Sequence, residues 1–289
     1  MSADALTLFS RPVLRDGILV VGLSGWMDGG EVSTGTVEYL ATSLEAERVA
    51  EISPEPFYIY NFPGSMEMAA LFRPHVRIEG GLVVSHDWPE NVFRCAPEQN
   101  LLLFEGKEPN VRWGDFADCL FTAVEVMGVK RIFFVGTVAG LVPHTRPPRL
   151  YASVSDASLL PHMTRHGCAP SNYDGPGSFM TTMMAQAPER GVTMATLVAE
   201  VPAYVQGHNL RCIHTVARKL AEIADLTLDL QDLGAAAREF DARIEEVVGE
   251  RNDLKQLIQR MEQDYDMTIS PNADAELKAW LERQGIRLD

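Results

Sequence analysis

Serines, histidines, cysteines and carboxylates carry most protein chemistry, and their spacing decides whether they can carry it here. Gly22-Leu23-Ser24-Gly25-Trp26 has the outline of the G-x-S-x-G turn that lifts a nucleophilic serine out of a sheet. That turn is too sharp for a bulky fifth residue, and Trp26 stands there, so Ser24 is not expected to act as a nucleophile. Gly30-Glu31-Val32-Ser33-Thr34-Gly35-Thr36 has the glycine spacing of a phosphate-binding loop, but Thr36 replaces the lysine that neutralises phosphate charge. His162 and His166 lie one helical turn apart, yet Met163 occupies the position where a zincin carries its glutamate base. His208 and His214 have no cysteine or acidic cluster at ligand spacing. Cys95, Cys119, Cys168 and Cys212 are scattered without a CxxC, which fits neither a zinc ribbon nor a thioredoxin-type couple. No catalytic residue, metal or cofactor is expected, and the cysteines read as reduced thiols of a cytosolic protein.

The elements that would position any site alternate along the chain. Residues 18–24 form a continuous apolar run rich in branched side chains, the pattern of a strand buried on both faces. A glycine-rich break precedes a helix over 31–43, with Glu31 in its first turn. Residues 76–78 and 82–85 flank Glu79-Gly80-Gly81 and read as a hairpin. A buried strand over 101–104 precedes the clearest helix, 112–127, in which Trp113, Phe116, Ala117, Leu120, Phe121, Val124 and Met127 share one face. Gly128 ends that helix. Strands over 132–138, 150–154 and 193–201 alternate with helices near 157–165, 179–187 and 210–224. Apolar strands separated by amphipathic helices imply a three-layer α/β/α sandwich with a mostly parallel sheet.

Beyond residue 232 the composition changes. The last 57 residues carry 13 acidic and 8 basic side chains and no strand signal. Phe240, Ile244, Val247 and Val248, then Leu254, Leu257, Ile258, Met261 and Tyr265, trace a helical stripe interrupted at Gly249, and a last helix is expected over 273–284. The expected organisation is a core over 1–232 and a helical appendage over 233–289. That appendage would be either a hairpin packed on the sandwich or an arm gripping another subunit.

The whole chain has 289 residues, 46% of them hydrophobic, with 40 acidic and 25 basic side chains and a net charge of −15. This is a globular composition, and its acidity disfavours nucleic acid, whose partners concentrate Lys and Arg. No run approaches the roughly 20 apolar residues that span a bilayer. The first ten residues lack the basic start and cleavage site of a secretory signal. A cytoplasmic protein without a membrane partner is expected.

The polar residues that stand out follow strands. Trp26, Asp28 and Glu31 come after the first strand, Glu108 and Trp113 after 101–104, and His144, Thr145, Arg146 and Arg149 after 132–138. In a parallel sheet such loops converge on one edge, where ligands usually bind. Tyr173-Asp174-Gly175-Pro176 precedes another helix. Two readings of this margin remain: an ion-pair network that fixes long loops, which is favoured because no nucleophile–base pair is evident, or a substrate crevice. In the second, a binder of a nucleoside-like or anionic ligand or an enzyme of hydrolase or phosphorylase type, Arg146 and Arg149 would hold an anionic group, Asp28 or Glu108 would supply acid–base chemistry and Trp26 would stack on a planar ring.

These loops resemble those of a known family. Gly25-Trp26-Met27-Asp28-Gly29-Gly30, Gly106-Lys107-Glu108-Pro109-Asn110-Val111-Arg112-Trp113, Pro143-His144-Thr145-Arg146, Tyr173-Asp174-Gly175-Pro176 and Val201-Pro202-Ala203-Tyr204-Val205 match, in order, the proteasome assembly chaperone 2 family in its actinobacterial form. The resemblance covers about residues 15–232. It implies a three-layer core shaped like nucleoside phosphorylases and peptidyl hydrolases, and an assembly or binding role without established catalysis. It places Tyr204 with the other margin residues. It also implies a homo-oligomer with protein partners, proteasome subunits among the candidates. Gly29 and Ala203 depart from the family's usual Ala and His. The chain ends Ile286-Arg287-Leu288-Asp289, with Leu288 where docking tails carry Tyr, so C-terminal docking on a proteasome is not expected.

Overall fold

Four apolar runs bury both of their faces, and a nine-stranded sheet is built around them. The structure, a computed structural model, describes residues 5–70, 72–205 and 207–269. The chain begins with β1 (Leu6–Leu8), β2 (Gly17–Ser24), α1 (Val32–Ser43), β3 (Glu47–Ile52) and α2 (Met66–Ala70). It continues through β4 (His75–Glu79), β5 (Leu82–Asp87), β6 (Val92–Ala96), β7 (Leu101–Lys107), α3 (Trp113–Val126) and β8 (Val129–Gly140). There follow β9 (Leu150–Ala152), α4 (Leu160–Arg165), β10 (Ala169–Pro170), α5 (Phe179–Gln186), β11 (Thr193–Pro202) and α6 (Leu210–Ala224). Two long helices, α7 (Gln231–Gly249) and α8 (Asn252–Ile269), end the described chain.

The sheet order is β1-β3-β6-β7-β2-β8-β11-β9-β10. The central strands β7, β2, β8 and β11 are mutually parallel. On one side β1, β3 and β6 continue antiparallel, and on the other β9 runs antiparallel to β11. The sheet is therefore mixed, with the expected parallel arrangement confined to its centre and to the short β9–β10 pair. Physically, β6 and β7 are joined by one short turn at 97–99, and so tight a connection can only reverse the chain.

Side chains alternate between two cores. Leu19, Val21 and Leu23 of β2 face α3 and α5, whereas Ile18 and Val20 face α1 and α6. Leu102 and Phe104 of β7 join the first core, and Leu101 and Leu103 the second. Phe116 of α3 sits at the centre of the first, edge-on to Phe57 and Phe179 at centroid distances of 4.9 and 5.3 Å. These three layers bear out the fold expected from the sequence.

Helix α1 approaches β2 closely because Gly22 has no side chain. A Cβ there would lie 2.5 Å from the Ser33 carbonyl oxygen and 2.8 Å from a Val37 methyl. The approach lets the buried Ser33 hydroxyl donate to the Val135 carbonyl at 2.5 Å and accept from the Leu23 N–H at 3.0 Å, tying α1 to β8 and β2.

The appendage folds back on its own chain. Helix α7 packs on α6, with Leu233 joining the second core, and α8 buries Ile258, Met261 and Tyr265. The break between the two helices falls at Gly249, as the interrupted stripe predicts. The helix expected over 273–284 and the terminal residues 286–289 lie outside the described residues. A second body projects elsewhere: β4 and β5 pair only with each other, as the expected hairpin.

Replacing Gly22 by Ala forces α1 off β2 and should cost about 1–3 kcal/mol, the usual penalty of an overpacked core. Urea denaturation compared with wild type would check this; an unchanged midpoint would mean that α1 moves without cost.

Candidate functional site

The carboxyl ends of β2 and β7 define the margin, because the chain leaves these neighbours in opposite directions, to α1 on one face and α3 on the other. Of the expected residues, Asp28 is held most firmly. Its Oδ1 accepts from the Ser33 and Thr34 N–H groups at 2.8 and 3.2 Å, and its Oδ2 accepts from the Thr34 hydroxyl at 2.7 Å. Those donors are the otherwise unsatisfied amides of the first turn of α1. Burial raises the Asp28 pKa against the lowering pull of these bonds.

The loop carrying Asp28 is pinned from the next strand. Thr137 of β8 donates its N–H to the Met27 carbonyl at 2.8 Å and its hydroxyl lies 3.1 Å from the Gly29 carbonyl. Gly30 follows with φ 67°, and a Cβ there would sit 2.9 Å from that of Asn209. Its carbonyl accepts the Asn209 N–H at 2.8 Å, and Asn209 in turn caps α6 through the Cys212 N–H at 3.1 Å. Glu31 is exposed, in left-handed backbone at φ 53°, and meets His208 Nδ1 at 3.1 Å. Trp26 points into solvent, 68% exposed, with no ring partner among the described residues.

Glu108 bridges this loop to the opposite layer. Its Oε1 accepts the Phe179 N–H at the start of α5 at 2.8 Å, and its Oε2 accepts the Trp26 N–H at 3.4 Å. Trp113 donates to the Pro109 carbonyl at 2.7 Å and lies edge-on to Phe179. These five residues, Trp26, Asp28, Glu31, Glu108 and Trp113, share one end of the sheet.

His144, Thr145, Arg146, Arg149 and Tyr204 form a second cluster beyond β8 and β11, and α8 is its partner. Arg146 donates to both carboxylate oxygens of Asp266 at 2.9 and 2.8 Å and to Glu262 at 3.3 Å. Thr145 donates to Glu262 at 2.5 Å. The Arg149 guanidinium lies 4.3 Å from the centre of the Tyr265 ring, and the Tyr265 hydroxyl donates to the Pro147 carbonyl at 2.8 Å. Hydrogen bonding to Arg146 lowers the pKa of Asp266. Thr145, Arg146 and Arg149 of this loop are therefore engaged within the chain.

His144 is buried. The Tyr204 hydroxyl accepts its backbone N–H at 2.7 Å and also lies 2.7 Å from the ring's Nδ1, which leaves Nε2 as the other ring nitrogen. That Nε2 has no partner among the described residues. Burial lowers the His144 pKa, and Arg211 adds to this while Asp241, Glu245 and Glu262 oppose it. Tyr173 belongs to neither cluster; it is exposed and donates to the carbonyl of Pro176 at 3.1 Å.

His162 and His166 stack edge-on at 4.8 Å, with His162 Nε2 on the Ile223 carbonyl at 2.9 Å. Among the described residues no three His, Cys, Asp or Glu side chains gather as a metal site would require. All four cysteines are buried thiols, pushed up to about 11 for Cys95, Cys119 and Cys168 and about 12 for Cys212. Sequence reasoning missed Glu262 and did not assign Tyr265 or Asp266 to this cluster; the stripe that marks α8 as half-buried does not say what it covers.

The sequence profile of the PAC2 family matches residues 22–248, most of the chain and both clusters. The chain belongs to the PAC2 family. Solved structures agree. A Mycobacterium tuberculosis protein of unknown function is 25% identical, with a TM-score of 0.80 and 91% of each chain covered. A Mycobacterium tuberculosis proteasome-assembly chaperone homologue is 26% identical, with a TM-score of 0.71, covering 83% of this chain and 99% of its own. A Streptomyces avermitilis PAC2 family protein shares the fold at 23% identity and a TM-score of 0.70, covering 84% and 100%. No curated protein matches the sequence.

Arg146→Ala removes the clamp on α8 while leaving the cores intact. Amides across Asn252–Ile269 should then exchange severalfold faster in hydrogen-exchange mass spectrometry, with those of β2 and β8 unchanged; uniform protection would show the clamp to be dispensable. For His144 the folded pKa lies below the unfolded value near 6.5. The unfolded chain therefore takes up a proton first, and stability drops as pH falls through 6.5 toward the folded pKa. Thermal melts at about pH 7.5 and 5.5 should show a smaller acid loss in His144→Asn than in wild type.

Proposed function

We propose that this PAC2 family protein is a non-enzymatic assembly chaperone or scaffold that acts in the cytoplasm, as a homo-oligomer, by binding protein partners. The observation that carries the reading is the β4–β5 hairpin. It stands apart from the main sheet and exposes Val76, Ile78, Leu82, Val83 and Val84, with Ile78 paired opposite Val83 and Leu82 at 72%; Met66 and Met68 of the preceding helix are exposed too. Contiguous apolar surface on a soluble fold usually marks a protein contact, and methionines adapt to the shape of a partner. The proteasome-assembly role named for a mycobacterial relative makes proteasome subunits the first partners to test.

The non-enzymatic half of the reading is supported by the engagement of Asp28, Glu108, Arg146 and Arg149 with groups of their own chain. Acid–base catalysis asks for a group free to exchange protons with a substrate. We also propose the division into a core over residues 1–232 and a helical arm over 233–289, and an origin among the actinobacterial members. No helix among the described residues is long and apolar enough to cross a membrane.

The test is the double variant Leu82→Asp, Val84→Asp, which leaves both cores untouched. Co-purification with proteasome subunits from a native extract, and the mass in light scattering, should both fall. A central interface residue contributes enough that capture should weaken about tenfold or more. Unchanged mass and an unchanged set of captured proteins would sink the reading.

A further inference from the structure

The margin carboxylates Asp28 and Glu108 are engaged with backbone amides, but a second set of polar groups at the same sheet edge is not. Ser24 and Lys107 are register partners, the last residues of β2 and β7, and their side chains emerge on the α1 face. They floor an open groove between the sheet and the stem of the hairpin, walled by Tyr60 and Trp88, whose rings meet edge-on at 4.9 Å. The groove lies where the chain departs from neighbouring parallel strands to opposite faces, the place where α/β sheets leave room for a ligand.

The charges of this groove pair off unevenly. Glu105 is held by Arg94 at 3.2 Å, and Asp87 by His75 at 3.2 Å. Glu90 also lines the groove, and the Arg73 guanidinium reaches only the side-chain Oδ1 of Asn61, at 3.5 Å. Lys107 has no carboxylate partner among the described residues; its ammonium lies 5.9 Å from the centre of the Tyr58 ring. Burial lowers its pKa, as expected of a cation without a counter-ion. The Tyr60 hydroxyl is buried and has no hydrogen-bond partner among the described residues. Leaving such a group unsatisfied costs about 1–3 kcal/mol, which a ligand oxygen would recover.

The backbone at Lys107 is rigid. Its N–H donates to Asn91 Oδ1 at 3.2 Å, its carbonyl lies 2.6 Å from the Tyr58 hydroxyl, and Asn91 is fully buried on the Ile52 carbonyl at 3.2 Å. Two cations, two hydroxyls and a half-exposed indole therefore converge on one groove of a chain whose net charge is −15.

We infer that this groove binds a small anionic ligand, its carboxylate or phosphate held by Lys107, Ser24 and Tyr60 and its body lying against Trp88. This does not rest on the chaperone reading, because it uses none of the apolar residues of the hairpin.

The experiment is calorimetric titration of the full chain with inorganic phosphate, phenyl phosphate and benzoate. Saturable binding is expected for at least one probe. Preference for the two phosphates over benzoate identifies a phosphate ligand, and the reverse a carboxylate; phenyl phosphate binding tighter than phosphate reports the contribution of Trp88. Lys107→Gln should weaken binding about 10- to 100-fold, the worth of a charge-assisted contact. Lys107→Arg should retain most of it, and Lys130→Gln, at the opposite end of the sheet, should leave it unchanged. Melting curves confirm that each variant folds. No saturable binding of any probe at millimolar concentration, or affinity unaffected by Lys107→Gln, overturns the inference.

Discussion

Burial of the central strands on both faces is the constraint from which the rest of this molecule follows. Strands β7, β2, β8 and β11 satisfy their backbone groups in ladders and surround themselves with apolar side chains on both sides. No charged group fits between those layers without a large desolvation cost. Polar chemistry is therefore driven to the strand ends. There the departing loops carry amides and carbonyls that need partners, and Asp28, Ser33, Thr137, Glu108 and Asn209 supply them. A margin rich in polar residues thus arises from architecture alone, before any substrate is considered.

The same constraint explains what was legible in the sequence. Strands buried on both faces leave continuous apolar runs, so β2, β7, β8 and β11 stand out, and α3 stands out through its single apolar face. The flanking strands do not. In β3 the run is broken by the exposed Glu47 and Arg48 and by Glu51, and in β6 by Arg94, which pairs with Glu105 of β7 at 3.2 Å. The short connection over 97–100 between β6 and β7 escapes pattern reading too, and with it the antiparallel half of the sheet. At the site, the loops could be named as strand ends, but not their partners. Arg146 meets Asp266 across 120 residues of sequence, and periodicity carries no such pairing. Lys107 was visible only as part of a family motif, since a lysine closing an apolar strand looks like ordinary surface until its neighbours are known.

Two bodies outside the sandwich are treated in opposite ways by the fold. Helices α7 and α8 bury Leu233, Ile258, Met261 and Tyr265 against their own chain, with a bidentate arginine fixing the contact, while Val247 and Leu257 stay exposed. The hairpin keeps its apolar residues in solvent and is joined to the sheet only through its ends. The fold thus covers most of one apolar surface and leaves another in solvent.

The four cysteines have a practical consequence. Each sits in an interior layer with its sulfhydryl held far from the ionised form that attacks electrophiles. A thiol-reactive dye added to the native protein would thus be consumed only as fast as the sandwich opens. The wild-type chain carries its own stopwatch for unfolding, one reporter in α3, one in α6, one beside α4 and one in β6.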